Sequence, residues 1–337
     1  MNLDFEPINI KYQWLVTGCG GFIGSNLVEA LLSLNQKVIG LDNFISSDKE
    51  VILAVINNLT IDQKRNFTLV EGDIRDLRLC IEVAEGCDFI LHHAAISSVQ
   101  KSIQDPLLNN EINIDGFNNL LTASNINNIK KFVFASSSSV YGDSKVMPCD
   151  ESSQCNPLSP YAESKLSNER HASLLNNNYA MKYIGLRYFN IFGRRQSAES
   201  NYSAVIPKWI QAIIRNESIY IYGEGNASRD FCYIDDVINA NIKAALSEDG
   251  LQDNIFNIAS GKSIHLNELF SLLINIFKKH SVVYDKNPIY LPYKRGEIIE
   301  SKANISRAFT QLGIQPSRDF SSNLNETVSW FLNQQKA

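Results

Sequence analysis

Tyr161 and Lys165 stand four residues apart in the run Ser159-Pro160-Tyr161-Ala162-Glu163-Ser164-Lys165. On a helix that spacing puts both side chains on one face, and Pro160 suits a first helical turn. A phenol with an ordinary pKa of about 10 is a poor base at neutral pH, and matching it takes about 3 units, or about 4 kcal/mol. A neighbouring ammonium is one group that could supply part of that shift. Upstream, the serine run Ser136 to Ser139 closes a strand-like stretch just before Tyr141-Gly142. A hydroxyl there could orient a reacting oxygen, so the chemistry these residues suit is proton transfer at an alcohol or ketone. Tyr-x-x-x-Lys by itself is usually a surface pair, and its weight comes from its surroundings.

The first of those surroundings is Thr17-Gly18-Cys19-Gly20-Gly21-Phe22-Ile23-Gly24, where Gly18, Gly21 and Gly24 recur every third residue between a strand-like and a helix-like run. One glycine makes the turn, one lets backbone approach a pyrophosphate, and one lets the helix pack on the strand. The N–H groups that open the helix, around Phe22 and Ile23, then face the anion. Asp42, with Asn43 after it, ends the next strand-like run about twenty residues on. A carboxylate there accepts hydrogen bonds from both adenosine ribose hydroxyls and repels a 2′-phosphate, which favours NAD over NADP. Asp73 and Ile74, after the third run, are candidates for the adenine edge. A bound nicotinamide cation would add to Lys165 in lowering the Tyr161 pKa.

The elements that must hold these groups alternate. Strand-like runs fall at 13–17, 37–41, 67–70, 89–92, 131–135 and 183–187, and most lack polar alternation, as in strands buried on both faces. Helical patterns at 22–34, 106–124 and 160–175 separate them. The spacing predicts an α/β fold, a doubly wound parallel Rossmann sheet over residues 1–189. Residues 190–337 form a smaller mixed α/β C-terminal substrate lobe, with helices at 204–215, 266–279 and 322–332, and the segment at about 235–260 returns to the first domain.

At 337 residues, with 44% hydrophobic and 20% charged, the chain has the make-up of a soluble globular enzyme. A net charge of -5 with scattered Lys and Arg argues against nucleic-acid binding. No apolar run reaches membrane length, so no membrane insertion is expected, and the N-terminus carries no signal-like apolar stretch. The six cysteines form no Cys-x-x-Cys pair and lack zinc spacing, which suits free thiols in a reducing cytoplasm. His92 and His93 are adjacent on a strand end and point to opposite faces, so they do not chelate together and no metal is assigned.

Taken in order, Thr17–Gly24, Leu91-His92-His93-Ala94-Ala95, Ser136–Gly142, Tyr161–Lys165, Arg187-Tyr188-Phe189-Asn190-Ile191-Phe192-Gly193 and Ser228-Arg229-Asp230-Phe231-Cys232-Tyr233-Ile234-Asp235 resemble the extended short-chain dehydrogenases across the whole chain. Within that superfamily the chain looks most like UDP-sugar 4-epimerases, especially the bacterial UDP-N-acetylglucosamine 4-epimerases of polysaccharide biosynthesis; Asn113-Ile114-Asp115-Gly116-Phe117 and Gly193-Arg194-Arg195-Gln196 point to that branch.

The resemblance implies that NAD stays bound while Tyr161 takes the proton of the sugar 4-hydroxyl and hydride leaves C4 for the nicotinamide. The 4-keto sugar then swings about its diphosphate and takes the hydride back on its other face. Lys165 would hold the nicotinamide ribose and Ser137 would bond the reacting oxygen. His93, Ala94, Ala95, Asn113 and Tyr188 join the implied cofactor site. On the substrate side the implied residues are Ser97, Ser98, Ser138 and Ser139 near the sugar, with Asn190, Ala204, Val205, Lys208, Tyr220, Tyr222 and Arg229 near the UDP. Lys294 falls where the family carries a phosphate-gripping arginine, with Arg295 beside it, and lysine lacks the bidentate fork. Ser97 replaces a glycine and Gln100 a proline near the sugar pocket. Ser301 occupies the position that is a bulky tyrosine in glucose-only epimerases, and a small residue leaves room for an N-acetyl group.

The implied substrate pair is therefore UDP-GlcNAc and UDP-GalNAc, with UDP-N-acetylglucosaminuronate as the neighbouring alternative. A 4,6-dehydratase carries an Asp-Glu pair after its active-site threonine and a UDP-glucuronate decarboxylase a Glu, whereas Ser138 and Ser139 follow Ser137 here. A non-catalytic NAD-binding sensor on this fold typically loses the Tyr or the Lys, and both are present. A homodimer through the helices starting at Pro106 and Pro160 is implied by the resemblance alone.

Overall fold

The computed structural model describes residues 8–179, 182–198, 204–293, 299–316 and 318–335. Its first six strands are β1 (Gln13–Thr17), β2 (Lys37–Asp42), β3 (Phe67–Glu71), β4 (Phe89–His92), β5 (Lys131–Ser137) and β6 (Tyr183–Tyr188). The rest are β7 (Ile191–Phe192), β8 (Tyr220–Tyr222), β9 (Ser228–Asp230), β10 (Cys232–Tyr233), β11 (Ile255–Ile258), β12 (Ser263–His265) and β13 (Ile289–Leu291). Between β1 and β6 come α1 (Phe22–Ser33), α2 (Lys49–Asn57), α3 (Ile61–Lys64), α4 (Leu77–Ala84), α5 (Val99–Gln104), α6 (Pro106–Asn110), α7 (Phe117–Ile126) and α8 (Pro160–Tyr179). Beyond them lie α9 (Val205–Ile214), α10 (Ile234–Leu246), α11 (Leu266–Lys279), α12 (Ser306–Leu312) and α13 (Phe320–Gln334).

Seven strands form one parallel sheet in the order β11-β6-β5-β4-β1-β2-β3. The order reverses between β1 and β4, and in such sheets ligands bind beyond the carboxyl ends at that reversal. The apolar runs serve both faces. Leu15, Ile90, Phe132 and Phe134 pack toward α4, α7 and α8, while Trp14, Val16, Leu91 and Val133 pack toward α1 and α10. After β10 the chain returns to the sheet: α10 packs on α1 and β5, and β11 pairs with β6. The other pairs, β7–β10, β9–β12 and β8–β13, are short ribbons of two or three residues.

One expected helix differs. The stretch expected as a single helix over 106–124 is α6 and α7 joined by a π-helical segment, Glu111–Gly116. A π-turn shifts the helical register. Within it the Asn113 side chain turns into the protein, accepting from Ile96 N–H (2.8 Å) and donating to the Asn109 amide oxygen (2.9 Å).

Candidate active site

A cleft of about 1620 Å³ opens along the carboxyl ends of the sheet. That exceeds the roughly 300–1,000 Å³ of a single drug-sized site, so it has room for a dinucleotide and a second ligand.

The glycine turn forms its floor. Gly18 takes a φ of +69°, and a Cβ there would lie 2.7 Å from the Ala94 nitrogen. A Cβ on Gly24 would lie 2.0 Å from the Gly18 carbonyl oxygen, so the helix can sit this close only with glycine. Gly21 is the N-cap of α1 and no side chain caps that end. Phe22 and Ile23, whose N–H groups open α1 without a partner inside the helix, line the cleft beside the glycine backbone. The turn fits a pyrophosphate.

Asp42 is buried at the next strand end, and its carboxylate is already engaged: Oδ2 accepts from Gly20 N–H (2.8 Å), Oδ1 from Phe44 N–H (2.8 Å) and the Ser47 hydroxyl (3.0 Å). Of about four lone-pair sites on a carboxylate, these use three, so Asp42 shapes the turn and keeps about one for a ribose hydroxyl. Asn43, Ile74, His93, Ala94, Ala95 and Tyr188 also line the cleft.

Two cofactor candidates do not line it. Asp73 is clamped by Arg75 through Oδ1 (3.0 Å) and Oδ2 (2.8 Å) and accepts from the Asn43 amide (2.7 Å). These bonds, the Arg75 one foremost, hold its carboxyl down to about 2. Asn113 is fully buried on the bonds described above, and braces the segment after β4 from behind. His93 sits at the end of β4, edge-on to the Tyr188 ring with centroids 6.1 Å apart. Burial, and secondarily Lys165, lowers its pKa to about 3, so the imidazole is neutral. Its partner in sequence, His92, turns to the other side and meets the Thr17 hydroxyl at 2.8 Å.

On the opposite lip β5 and α8 bring Ser137, Tyr161 and Lys165 together. Lys165 Nζ donates to the Ala135 carbonyl (2.9 Å) and lies 5.9 Å from the Tyr161 ring centre. Burial lowers the Lys165 pKa to about 8. Burial also raises the Tyr161 pKa, and the neighbouring Ser137 hydroxyl pulls it partly back. The Lys165 ammonium is turned to a carbonyl, so among the protein's own groups burial comes first in setting the Tyr161 pKa and Ser137 opposes it. Ser139 donates to the Ser137 hydroxyl through its own hydroxyl (2.9 Å) and its N–H (3.2 Å), fixing that serine's orientation. The arrangement can pass a proton between a substrate hydroxyl and a phenol that shares the cleft with a serine hydroxyl.

The expected substrate residues divide. Ser97, Ser98, Ser138, Ser139, Asn190 and Ala204 line the cleft. Asn190 holds a left-handed φ of +30°, a strained choice for a residue other than glycine. Its amide donates to the Asp230 carbonyl (3.1 Å) and to the Ser301 hydroxyl (3.3 Å), which brings Ser301 beside the cleft though not into its lining. Val205, Lys208, Tyr220, Tyr222 and Arg229 lie outside the lining, on α9 and the ribbons β8 and β9. Arg229 donates to the Ser228 carbonyl at 2.9 Å. Lys294 and Arg295 lie outside the described residues.

Sequence reasoning gave no role to Glu169 and quoted Arg187 only within a motif; behind this lip the two meet the hydroxyl of Ser136, which itself lines the cleft. Glu169 follows Lys165 by the same four-residue step that joins Lys165 to Tyr161, and that step was the available signal. Sequence reasoning likewise quoted Arg195 and Gln196 only as a family motif and gave them no site role, yet both line the cleft; Arg195 is tied to α1 through Asn26 (2.7 Å) and Glu29 (2.7 Å).

A model of the NAD-dependent epimerase/dehydratase family matches residues 14–259. Among solved structures, the UDP-N-acetylglucosamine 4-epimerase from Methanobrevibacter ruminantium M1, in complex with UDP-N-acetylmuramic acid, superposes with a TM-score of 0.88 at 39% identity, covering 96% of this chain and 99% of that one. The UDP-glucuronic acid 4-epimerase from Bacillus cereus, in complex with UDP-glucuronic acid and NAD, gives 0.84 at 29% identity, covering 96% and 99%. The UDP-glucose 4-epimerase of Mycolicibacterium smegmatis is 31% identical over 322 residues, 95% of this chain and 98% of that protein.

Proposed function

The chain belongs to the NAD-dependent epimerase/dehydratase family, and from that premise we propose that it inverts C4 of a UDP-hexose, interconverting UDP-GlcNAc and UDP-GalNAc. The observation that carries the reading is the meeting of Ser137, Tyr161 and Lys165 on one lip of a cleft floored by the glycine turn. Ser138 and Ser139 stand where elimination chemistry would need carboxylates.

When bound, NAD supplies a reversible hydride acceptor. The N–H groups of Phe22 and Ile23 would hold its pyrophosphate, Asp42 its adenosine ribose and Lys165 its nicotinamide ribose. Tyr161 takes the proton of the sugar 4-hydroxyl as the alcohol becomes a ketone, and returns it when the ketone is reduced on its other face. Ser137 donates to the carbonyl oxygen as it forms, and Ser139 keeps that hydroxyl aimed. Asn190, Arg229 and the tyrosines of β8 anchor the UDP while the sugar turns. Support for the acetylated sugar comes from Ser301, a small residue beside Asn190, and from the 39% identity to an enzyme named for UDP-N-acetylglucosamine.

A homodimer fits the exposed apolar side chains of α5, α6 and α8, with Ile103, Leu107 and Leu174 each more than half exposed. Among the described residues no helix is long and apolar enough to cross a membrane, and the six unpaired thiols suit a cytoplasmic protein.

The experiment incubates the purified protein, without added cofactor, with UDP-GlcNAc, UDP-glucose and UDP-N-acetylglucosaminuronate separately and follows products by chromatography. UDP-GalNAc forming fastest supports the whole reading. Turnover of the uronate alone keeps the chemistry and overturns the sugar; no turnover leaves a non-catalytic NAD-binding protein on this fold.

A further inference from the structure

One turn beyond Lys165 on α8, the Glu169 carboxylate is buried against the Arg187 guanidinium of β6. The pair is bidentate, Nε to Oε1 at 2.9 Å and Nη2 to Oε2 at 2.7 Å. Arg187 Nη1 also donates to the Tyr141 hydroxyl (2.8 Å), which donates to Asn257 of β11 (2.7 Å). Neither Glu169 nor Arg187 lines the cleft. A buried ion pair adds little net stability over apolar residues of equal volume, so stability alone gives no account of it.

Its geometry gives one. Two consecutive residues of β5 are each met by one residue of α8: the Ala135 carbonyl accepts from Lys165 (2.9 Å) and the Ser136 hydroxyl donates to Glu169 (2.5 Å). Ser137, the next residue of β5, lines the cleft with Tyr161. The Glu169 contact is the one anchored from behind. We propose that the Glu169–Arg187 pair, acting through Ser136, sets the register of α8 against the end of β5 and thereby holds Tyr161 and Lys165 over Ser137. Glu169, Arg187 and Ser136 are positioning residues, and the assignment rests on the reading of Ser137, Tyr161 and Lys165 as the acid–base site. A carboxylate and a guanidinium suit the task because their paired hydrogen bonds fix orientation as well as distance, and a shift of about 1 Å at reacting groups costs about a hundredfold in rate.

The test uses the full chain with NAD bound and two variants. Ser136→Ala cuts the hydrogen bond that links Glu169 to β5. Glu169→Leu/Arg187→Met removes the pair together, which avoids the unpaired buried charge that either single change would leave. Three quantities are read: kcat and KM for the nucleotide sugar, retained NAD, and the Tyr161 titration, taken as the ultraviolet difference from the same variant carrying Tyr161→Phe. In Ser136→Ala kcat falls about tenfold and in the double variant about a hundredfold. KM and NAD content stay within about threefold of the parent. The Tyr161 titration moves to higher pH by about half a unit or more, as the phenol drifts from the Ser137 hydroxyl.

Variants that fold, or lose only thermal stability, with parental kcat and parental titration overturn the proposal. If the double variant does not fold, Ser136→Ala decides alone. If the parent turns over no nucleotide sugar, the functional reading fails, while the titration still decides whether the pair sets the register.

Discussion

The two walls of the cleft are built by different means. The wall bearing Ser137, Tyr161 and Lys165 rests on a seven-residue strand paired on both sides and a 20-residue helix. The wall bearing Asn190, with Ser301 beside it, rests on ribbons of two or three residues and the turns between them. What unites the second wall is one buried carboxylate, Asp230. It accepts from Ser260 N–H (2.8 Å), the Ser260 hydroxyl (2.6 Å), Gly261 N–H (3.1 Å) and Ala303 N–H (3.1 Å). A group that moves a proton must be held within fractions of an ångström, and regular elements do that well. Groups that choose a sugar can sit on turns, which accept substitution without disturbing the sheet. On the proposed function, the difference separates where reaction type is fixed from where substrate choice can change.

Tyr161→Phe breaks the first wall most sharply. Turnover falls by about a thousandfold or more, equivalent to about 4 kcal/mol of barrier, while retained NAD, read from absorbance of the purified protein, is unchanged. Normal turnover in that variant would remove the chemistry from this wall altogether. Asp230→Ala attacks the second wall. Four donors lose their acceptor, and unfolding free energy drops by about 3 kcal/mol. The loss shows first as a raised KM for the nucleotide sugar with NAD content intact; NAD lost in parallel would mean that the walls are one unit.

The same contrast explains what was legible in the sequence. The glycine turn, the strand-end serines and Tyr161–Lys165 each lie within a few residues of chain, so local periodicity sufficed to find them. β1 and β4 fall at the expected residues, and β5 runs two residues further, carrying Ser136 and Ser137 within the strand. Asn113 stands behind the cleft lining because its side chain is used by the Ile96 backbone, a contact 17 residues away that its motif does not encode. Ser301 meets Asn190 across 111 residues and Asp230 reaches Ala303 across 73. No local pattern encodes such pairings. The grip of Arg187 on Glu169 was hidden for another reason: charged residues read as surface, and burial of a matched pair appears only once two elements are packed together.

Ser301→Tyr sharpens the comparison from the substrate side. The phenol would stand beside Asn190 and fill the space an N-acetyl group requires, so kcat/KM for UDP-GlcNAc falls by roughly a hundredfold while that for UDP-glucose changes little, a differential of about 2.7 kcal/mol. Parallel assays on the two sugars measure it. An unchanged ratio would mean that substrate choice does not reside at Ser301, and the adaptable wall would lose its clearest element.

Lys165 tests whether the rigid wall carries a stability cost for its chemistry. Burial lowers its pKa from 10.5 to about 8. Below pH 8 the lysine is charged in both folded and unfolded chains, and the folded state bears the whole desolvation penalty. Between pH 8 and 10.5 the unfolded chain alone stays protonated, so stability rises with pH, and above 10.5 the penalty is gone. Lys165→Met removes the penalty together with the bond to the Ala135 carbonyl, leaving a gain of about 1–3 kcal/mol at pH 7 that fades through that window. Denaturant unfolding at pH 7 and at pH 10.5, with NAD removed from both proteins, measures it. A variant less stable than the parent at pH 7 would mean that the lysine is part of what holds β5 and α8 together, and that the first wall gains its rigidity from its catalytic groups rather than despite them.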